Sequence, residues 1–262
     1  MPLNFSRIFL SMRHRLRAWA LVLAFCFALS GSCLAAESPF RTQEGFVRWT
    51  THYYLAPDSQ KIPGALSYYC NSMMFAREDT RMPMAAFFSA VFQGNPVAMQ
   101  QTYDEIALRG TDDAKIFLLN VLWLVNNSAS QSLLQEAKRQ WTFKAAQKVF
   151  AKMGERKPQN VFLAPITDPV QLDMLWARFS ATGDPACVRK IISAALEKQE
   201  GSSFNMLIGG AASWSLASNA RQHDRVLAIC RDERIKSSGP TKELLEQIIH
   251  SSNAENASKN RF

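Results

Sequence analysis

The chain has 262 residues, of which 47% are hydrophobic, and its 30 Lys and Arg against 22 Asp and Glu give a formal net charge of +8. Four basic residues and no acidic ones lie in the first 35 positions, so the segment from position 36 onward carries only +4. So mild a charge, without a Lys/Arg run, argues against a nucleic-acid-binding protein. The length after position 35 is sufficient for a sizeable hydrophobic core.

The N-terminus has the three parts of a secretory signal peptide. Arginines without acidic residues occupy Arg7–Arg17, an uninterrupted apolar run follows at Ala18–Leu29, and small residues follow at Ser30–Ala36. The apolar run is shorter than the ~20 residues of a membrane span. We therefore expect residues 1–35 to be a signal peptide that is cut after Ala35. We also expect an exported protein, periplasmic or secreted, with no transmembrane segment after signal removal.

The cysteines leave two questions open. Lipid attachment at Cys33 is an alternative to simple cleavage, although Ser30 stands where lipoprotein processing usually has a branched aliphatic residue. After the signal, Cys70, Cys187 and Cys230 remain, too few for a disulfide-based scaffold. An oxidising compartment permits one disulfide among them, and three buried small side chains is the other interpretation.

Apolar residues recur at helical spacing from the start of the predicted mature domain. Phe46, Trp49 and Tyr53 share one face of a predicted first helix. Pro63 and Pro83 are predicted to begin the second and third helices, since proline suits the first helical position.

The fourth and fifth helices have clear start signals. Gly94-Asn95-Pro96 predicts a stop, an N-cap and a new first position. Thr111 is predicted to cap the fifth helix, whose run from Ile116 to Val125 is apolar nearly all round and is expected to be deeply buried. Leu133–Met153 is amphipathic and forms one or two helices. Gly154–Thr167 is predicted to be a linker.

The second half repeats this pattern. Asp168 caps a helix that begins at Pro169, and Gly183-Asp184-Pro185 separates it from the next helix. Further helices are predicted over 204–219, 221–231 and 241–250. The predicted domains are a signal peptide (1–35), an N-terminal helical subdomain (44–153), a C-terminal helical subdomain (168–251) and a flexible tail (252–262).

The two Gly-Asx-Pro turns lie 89 residues apart, each between two predicted helices. In this pattern of helices separated by Gly-Asx-Pro turns, the chain resembles helical-hairpin repeat proteins, of which tetratricopeptide-like arrays are the best known. It also resembles exported bacterial α-helical proteins of unknown function. The resemblance, together with the lack of strand-like alternation, predicts an all-α fold of stacked antiparallel helical hairpins that form a short α-solenoid. Whether the two halves are a duplication stays open.

No short catalytic or cofactor-binding motif is present in the sequence, and after the signal the histidines are His52, His223 and His250. We therefore expect a non-catalytic protein without a cofactor that binds a protein or peptide partner in the cell envelope. A small envelope-acting enzyme is the alternative, with Asp173, Asp184 and His223 as acid–base candidates.

A polar segment that follows a tryptophan is the first candidate binding site. Ser215, Asn219 and His223 are spaced by four, so a continuous helix would align them in one stripe beside Trp214. The alternative is that Asn219 and the residues after it cap and turn the chain while Trp214 packs in the core.

Two further groups carry weaker signals. Asp173 and Trp176 are i, i+3 neighbours and form a second candidate binding pair, with Asp184 nearby in the sequence. The alternative is that Trp176 is a core residue and that Asp184 is the N-cap of the next helix. A methionine cluster suggests a metal-handling protein, because thioethers bind Cu(I), but methionine also fills gaps in a core. The cluster consists of Met73, Met74, Met82 and Met84.

Overall fold

A computed structural model describes residues 39–156, 160, 163, 165–196 and 203–259, with the side chains of 206–253 in the last range. These ranges contain twelve α-helices and two short 3-10 turns but no strand, which confirms the all-α class. The helices are α1 (Gln43–His52), α2 (Ile62–Cys70), α3 (Glu78–Gly94), α4 (Pro96–Arg109), α5 (Asp112–Val125), α6 (Ser128–Gln140), α7 (Lys144–Gly154), α8 (Pro169–Thr182), α9 (Pro185–Leu196), α10 (Ser203–Gln222), α11 (Asp224–Lys236) and α12 (Gly239–Lys259). The signal peptide predicted at 1–35 lies outside the described residues.

Two predicted helix starts are confirmed by their hydrogen bonds. The Thr111 hydroxyl accepts the backbone N–H of Ala114 at 3.2 Å, which caps α5. Asp168 accepts the N–H of Val170 at 2.7 Å and forms a capping box with Gln171, so α8 begins at Pro169 as expected. Each cap satisfies a backbone N–H that has no partner within its own helix.

Left-handed residues end α5 and α8. Asn126 has φ 50° after α5, and Gly183 has φ 65° after α8. The turn between α3 and α4 differs from the prediction, because the Asn95 side chain does not cap α4. Its amide donates instead to the carbonyl of Val91 at 2.9 Å, at the end of α3.

Predicted boundaries of α3, α10, α11 and α12 are wrong, and α11 spans Asp224–Lys236 rather than 221–231. Helix α3 begins at Glu78, because the acidic residues Glu78 and Asp79 in the first turn favour the start there. Pro83 is the sixth residue of this helix, where it removes one backbone hydrogen bond. Helix α10 continues to Gln222 rather than Asn219, and α12 continues to Lys259, through most of the predicted tail.

Buried side chains form two clusters, one mainly from α1–α7 and one from α8–α12. Within the first, the run Ala85–Phe92 of α3 is buried at every position. The most extensive contact between helices joins α3 to α8, the two helices that precede the Gly-Asx-Pro turns. Hairpins of a solenoid contact their neighbours along the chain. Since α3 and α8 are far apart in sequence, the solenoid arrangement is not confirmed.

Candidate functional site

The predicted polar stripe begins on one continuous helix, α10. There the Ser215 hydroxyl donates to the carbonyl of Ala212 at 3.1 Å, and the Asn219 amide donates to the carbonyl of Ser215 at 2.9 Å. Both side chains are half-buried and bond their own helix, a common use of Ser and Asn within helices. Asn219 is therefore neither a cap nor a turn residue.

His223 lies beyond the end of α10 and is buried, with 4% of its surface exposed. It occupies the N-cap position of α11, and its Nδ1 lies 3.3 Å from the hydroxyl oxygen of Tyr54. Its ring centroid is 4.9 Å from that of His52 and 6.2 Å from that of Phe179. His223 therefore packs between His52 and Tyr54, at and just after the end of α1, and Phe179 of α8, so it does not continue an exposed stripe.

The pKa of His223 is lowered from its ordinary value of 6.5. The main cause is burial, which disfavours the charged imidazolium. The nearby His52 lowers the pKa further, whereas the negative charge of Asp224 opposes the shift. The histidine pair is therefore held together best when His223 is neutral.

Trp214 is 72% exposed, so the interpretation that it packs in the core is wrong. Leu207, two turns earlier on the same helix face, is 61% exposed, and the adjacent Met206 is 54% exposed. Gly210 lies between them, and a Cβ built there meets no atom within 4 Å. We call Met206, Leu207, Gly210 and Trp214 the exposed α10 face.

Trp214 is unusual among the tryptophans that the structure describes, because the other four are buried or half-buried. Trp214 was a candidate from the sequence, whereas Met206 and Leu207 were not. Their spacing from Trp214, at i−8 and i−7, was a signal for a shared helix face. The sequence did not show whether that face was inside or outside.

The second candidate pair divides between surface and core. Asp173 is exposed, and its pKa is raised, first by desolvation and second by the negative charge of Asp79. Trp176 is buried and packs edge-on against Phe179 at 6.0 Å, so the core interpretation holds for it. Asp184 accepts the N–H of Ala186 at 2.9 Å and so caps the start of α9.

The methionine cluster also divides. Met74 and Met84 pack against the N-terminal core, whereas Met73 and Met82 are exposed, at 83% and 43%. In the ranges that the structure covers, no group of three or more His, Cys, Asp or Glu is arranged to hold a metal ion. The core-packing interpretation therefore explains two of the four methionines.

The three cysteines of the described chain are free thiols. Burial raises the pKa of Cys70, Cys187 and Cys230 to about 12 in each case. Cys187 and Cys230 are fully covered members of the C-terminal cluster. Such thiols are protonated at neutral pH and are poor nucleophiles and poor metal ligands.

Comparison with known proteins gives no match, whether by family model, curated protein or solved structure. Among the helices that could be described, none combines the length and the apolar composition needed to cross a bilayer. Within the described residues, the chain is all-α, and α10 exposes Met206, Leu207 and Trp214.

Proposed function

We propose that this is an exported, non-catalytic helical protein that binds a protein or peptide partner through the exposed α10 face. One observation carries the proposal, which is that Trp214 is 72% exposed on a helix that also exposes Leu207. Apolar surface grouped in this way is a typical sign of an interaction site, whereas single exposed apolar residues need no explanation.

The size of the apolar surface supports a binding role. A Trp side chain that is buried completely covers about 150–250 Å². Burying the exposed share of Trp214 would contribute roughly 3–4 kcal/mol before the costs of association are subtracted. Tryptophan is also enriched among residues that dominate binding energies. The expected partner therefore offers an apolar pocket for the indole ring.

Export rests on the signal pattern at residues 1–35 and has its own test. The full chain is expressed and the expressing cells are fractionated. The purified product is then sequenced from its N-terminus. A start at Ala36 in the envelope or medium fraction supports export by simple cleavage. An intact Met1 contradicts export, and a lipid-modified Cys33 replaces the soluble form with a lipoprotein.

The docking face is tested with a photo-crosslinking amino acid at position 207 or 214 of the full chain. The matched control places the same group at Leu108, which is 78% exposed on α4. A discrete protein adduct from α10 but not from α4 identifies the partner. The purified partner should then bind the Trp214→Ser variant at least about tenfold more weakly.

Two outcomes contradict the proposal. The first is the same set of adducts from positions 108, 207 and 214, since this indicates contact without a defined face. The second is that no protein adduct forms from position 207 or 214, while binding to phospholipid vesicles depends on Trp214. The α10 face would then bind a lipid surface rather than a protein.

A further inference from the structure

A cavity of about 170 Å³ lies where α3, the end of α5 and α8 meet. It shares no residue with the exposed α10 face. Its polar lining comes from these three helices and from Asn160, and the other lining residues that the structure describes are apolar. Ser89 and Gln93 of α3, Asn126 at the end of α5 and Arg178 of α8 are the polar residues that these helices contribute.

On the α3 side of the cavity, polar side chains occur within and just after the buried run Ala85–Phe92. Ala86, Ser89 and Gln93 lie at i, i+3 and i+7, so they share the helix face that borders the cavity. Ser89 is 6% exposed and forms the inner wall, whereas Gln93 is exposed and forms the mouth. The Ser89 hydroxyl donates to the carbonyl of Ala86 at 2.9 Å, so its proton is already used within α3 and Ser89 is not counted among the donors to a ligand.

Arg178 of α8 gives the cavity a positive charge. It is the one ionisable residue among the lining residues that the structure describes. One of its Nη atoms donates to the Gln93 side-chain oxygen at 3.2 Å, and Gln93 in turn donates to the carbonyl of Val125 at 3.4 Å. These bonds place one edge of the guanidinium at the mouth, while the same side chain also interacts with the buried Cys187. A guanidinium edge matches a carboxylate in shape and charge.

The end of α5 supplies a second donor. Asn126, in the left-handed conformation, accepts from the Gln131 amide at 3.4 Å through its side-chain oxygen. The amide N–H₂ of Asn126 is then the part that can donate to a ligand. With Arg178 and Asn126 as donors and no acidic residue among the described lining, the polar end of the cavity suits an anion.

Volume and lining narrow the anion to a small carboxylate. A cavity of this size equals about six water molecules at ~30 Å³ each, well below the ~300–1,000 Å³ of drug-sized sites. Met174 and Leu175 supply an apolar wall for a short alkyl chain. We propose that this cavity binds a carboxylate of a few carbon atoms, with its charged end on Arg178 and Asn126 and its alkyl end on Met174 and Leu175.

Propionate is the test ligand and propionamide is its uncharged counterpart of nearly the same shape. Binding to the full chain is measured by saturation-transfer NMR and by the shift of the melting midpoint with ligand concentration. We expect saturable binding of propionate, and weaker binding of propionamide by about tenfold or more, because the hydrogen bonds to the charged guanidinium strengthen with a charged acceptor.

The variant Gln93→Glu supplies the cavity with its own carboxylate, 3.2 Å from Arg178 if the side chain keeps its position. Propionate binding should fall about tenfold or more while the fold is retained, because the new glutamate pairs with Arg178. Gln101→Glu makes the same charge change on exposed α4 and should leave binding unchanged. Asn126→Gly keeps a residue that tolerates the left-handed conformation and removes the amide donor, together with the oxygen that accepts from Gln131. It should also weaken propionate binding.

Three results would overturn the proposal. They are equal binding of propionate and propionamide, unchanged propionate binding in Gln93→Glu, and no saturable binding of propionate to the folded wild-type chain. Stronger binding of inorganic phosphate than of propionate would also overturn it, because the ligand would then be a tetrahedral anion.

Discussion

Replacing Trp214 with alanine separates a binding role from a folding role. The side chain is 72% exposed, so roughly 28% of its surface is covered in the folded protein. For a Trp that covers 150–250 Å² when fully buried, this share is about 40–70 Å². At ~25 cal/mol per Å², the loss of burial is about 1–2 kcal/mol, and the better helix propensity of alanine offsets up to ~0.5 kcal/mol of it.

Trp176→Ala is the matched comparison, because Trp176 is a buried residue on another helix. A buried Trp-to-Ala change leaves a cavity and costs about 3–5 kcal/mol. Urea unfolding followed by far-ultraviolet circular dichroism gives the free energy of unfolding of both variants, with the slope checked for a constant denatured state. The variants should therefore differ by at least ~1 kcal/mol.

Equal destabilisation by Trp214→Ala and Trp176→Ala would refute this reasoning. It would mean that the indole of Trp214 is covered within the folded chain, so the exposed α10 face would not exist in solution. The proposal of a docking site on α10 would then fail with it. A destabilisation of at most about 2 kcal/mol in Trp214→Ala, combined with lost capture of the partner by the folded variant, is the expected pair of results.

Three further predictions concern the interior. The folded-state pKa of His223 is lowered from 6.5. As the pH falls, the His223 imidazole is therefore protonated in the unfolded chain before it is protonated in the folded chain, and this stabilises the unfolded chain. The melting midpoint should therefore drop from pH 7 to 5, and His223→Asn should flatten this dependence; an unchanged slope would assign the effect elsewhere. Gly183→Ala should cost about 1–2 kcal/mol in urea unfolding, since φ is 65° and the new Cβ would lie 3.0 Å from the Tyr54 ring, whereas Gly154→Ala, with open space around it, should not destabilise. Cys187 and Cys230 should resist alkylation at pH 8 in the folded state and react in urea; native labelling by mass spectrometry would contradict their burial.

Local signals in the sequence predicted much of the helix pattern. Thr111 and Asp168 identified helix starts because a capping side chain bonds a backbone N–H two or three residues away. The helix start predicted from Pro83 was wrong, because a proline does not bond a particular backbone N–H as a capping side chain does. Proline favours the first helical position but does not have to occupy it, and Pro83 is the sixth residue of α3, where one backbone hydrogen bond is lost. A proline therefore marks a helix start only approximately.

The candidate site was predictable only in part. The sequence identified Trp214 and the four-residue spacing of Ser215 and Asn219, but it could not decide which side of α10 faces solvent. That side depends on how α10 packs against α9 and α12. The cavity beside Arg178 was not predicted, because Gln93 and Arg178 are 85 residues apart and meet only through the packing of α3 against α8.

The sequence by itself determined the all-α class, several helix ends and the turns that separate helices. These features depend on hydrogen bonds and backbone preferences within a few residues, which a linear pattern records. The tertiary structure decided that Trp214 is exposed, that His223 is buried against Tyr54 and that a polar cavity lies between α3, α5 and α8. Burial and cavities depend on which helix faces meet, and many packings satisfy the same helical periodicity, so only the assembled fold decides between them.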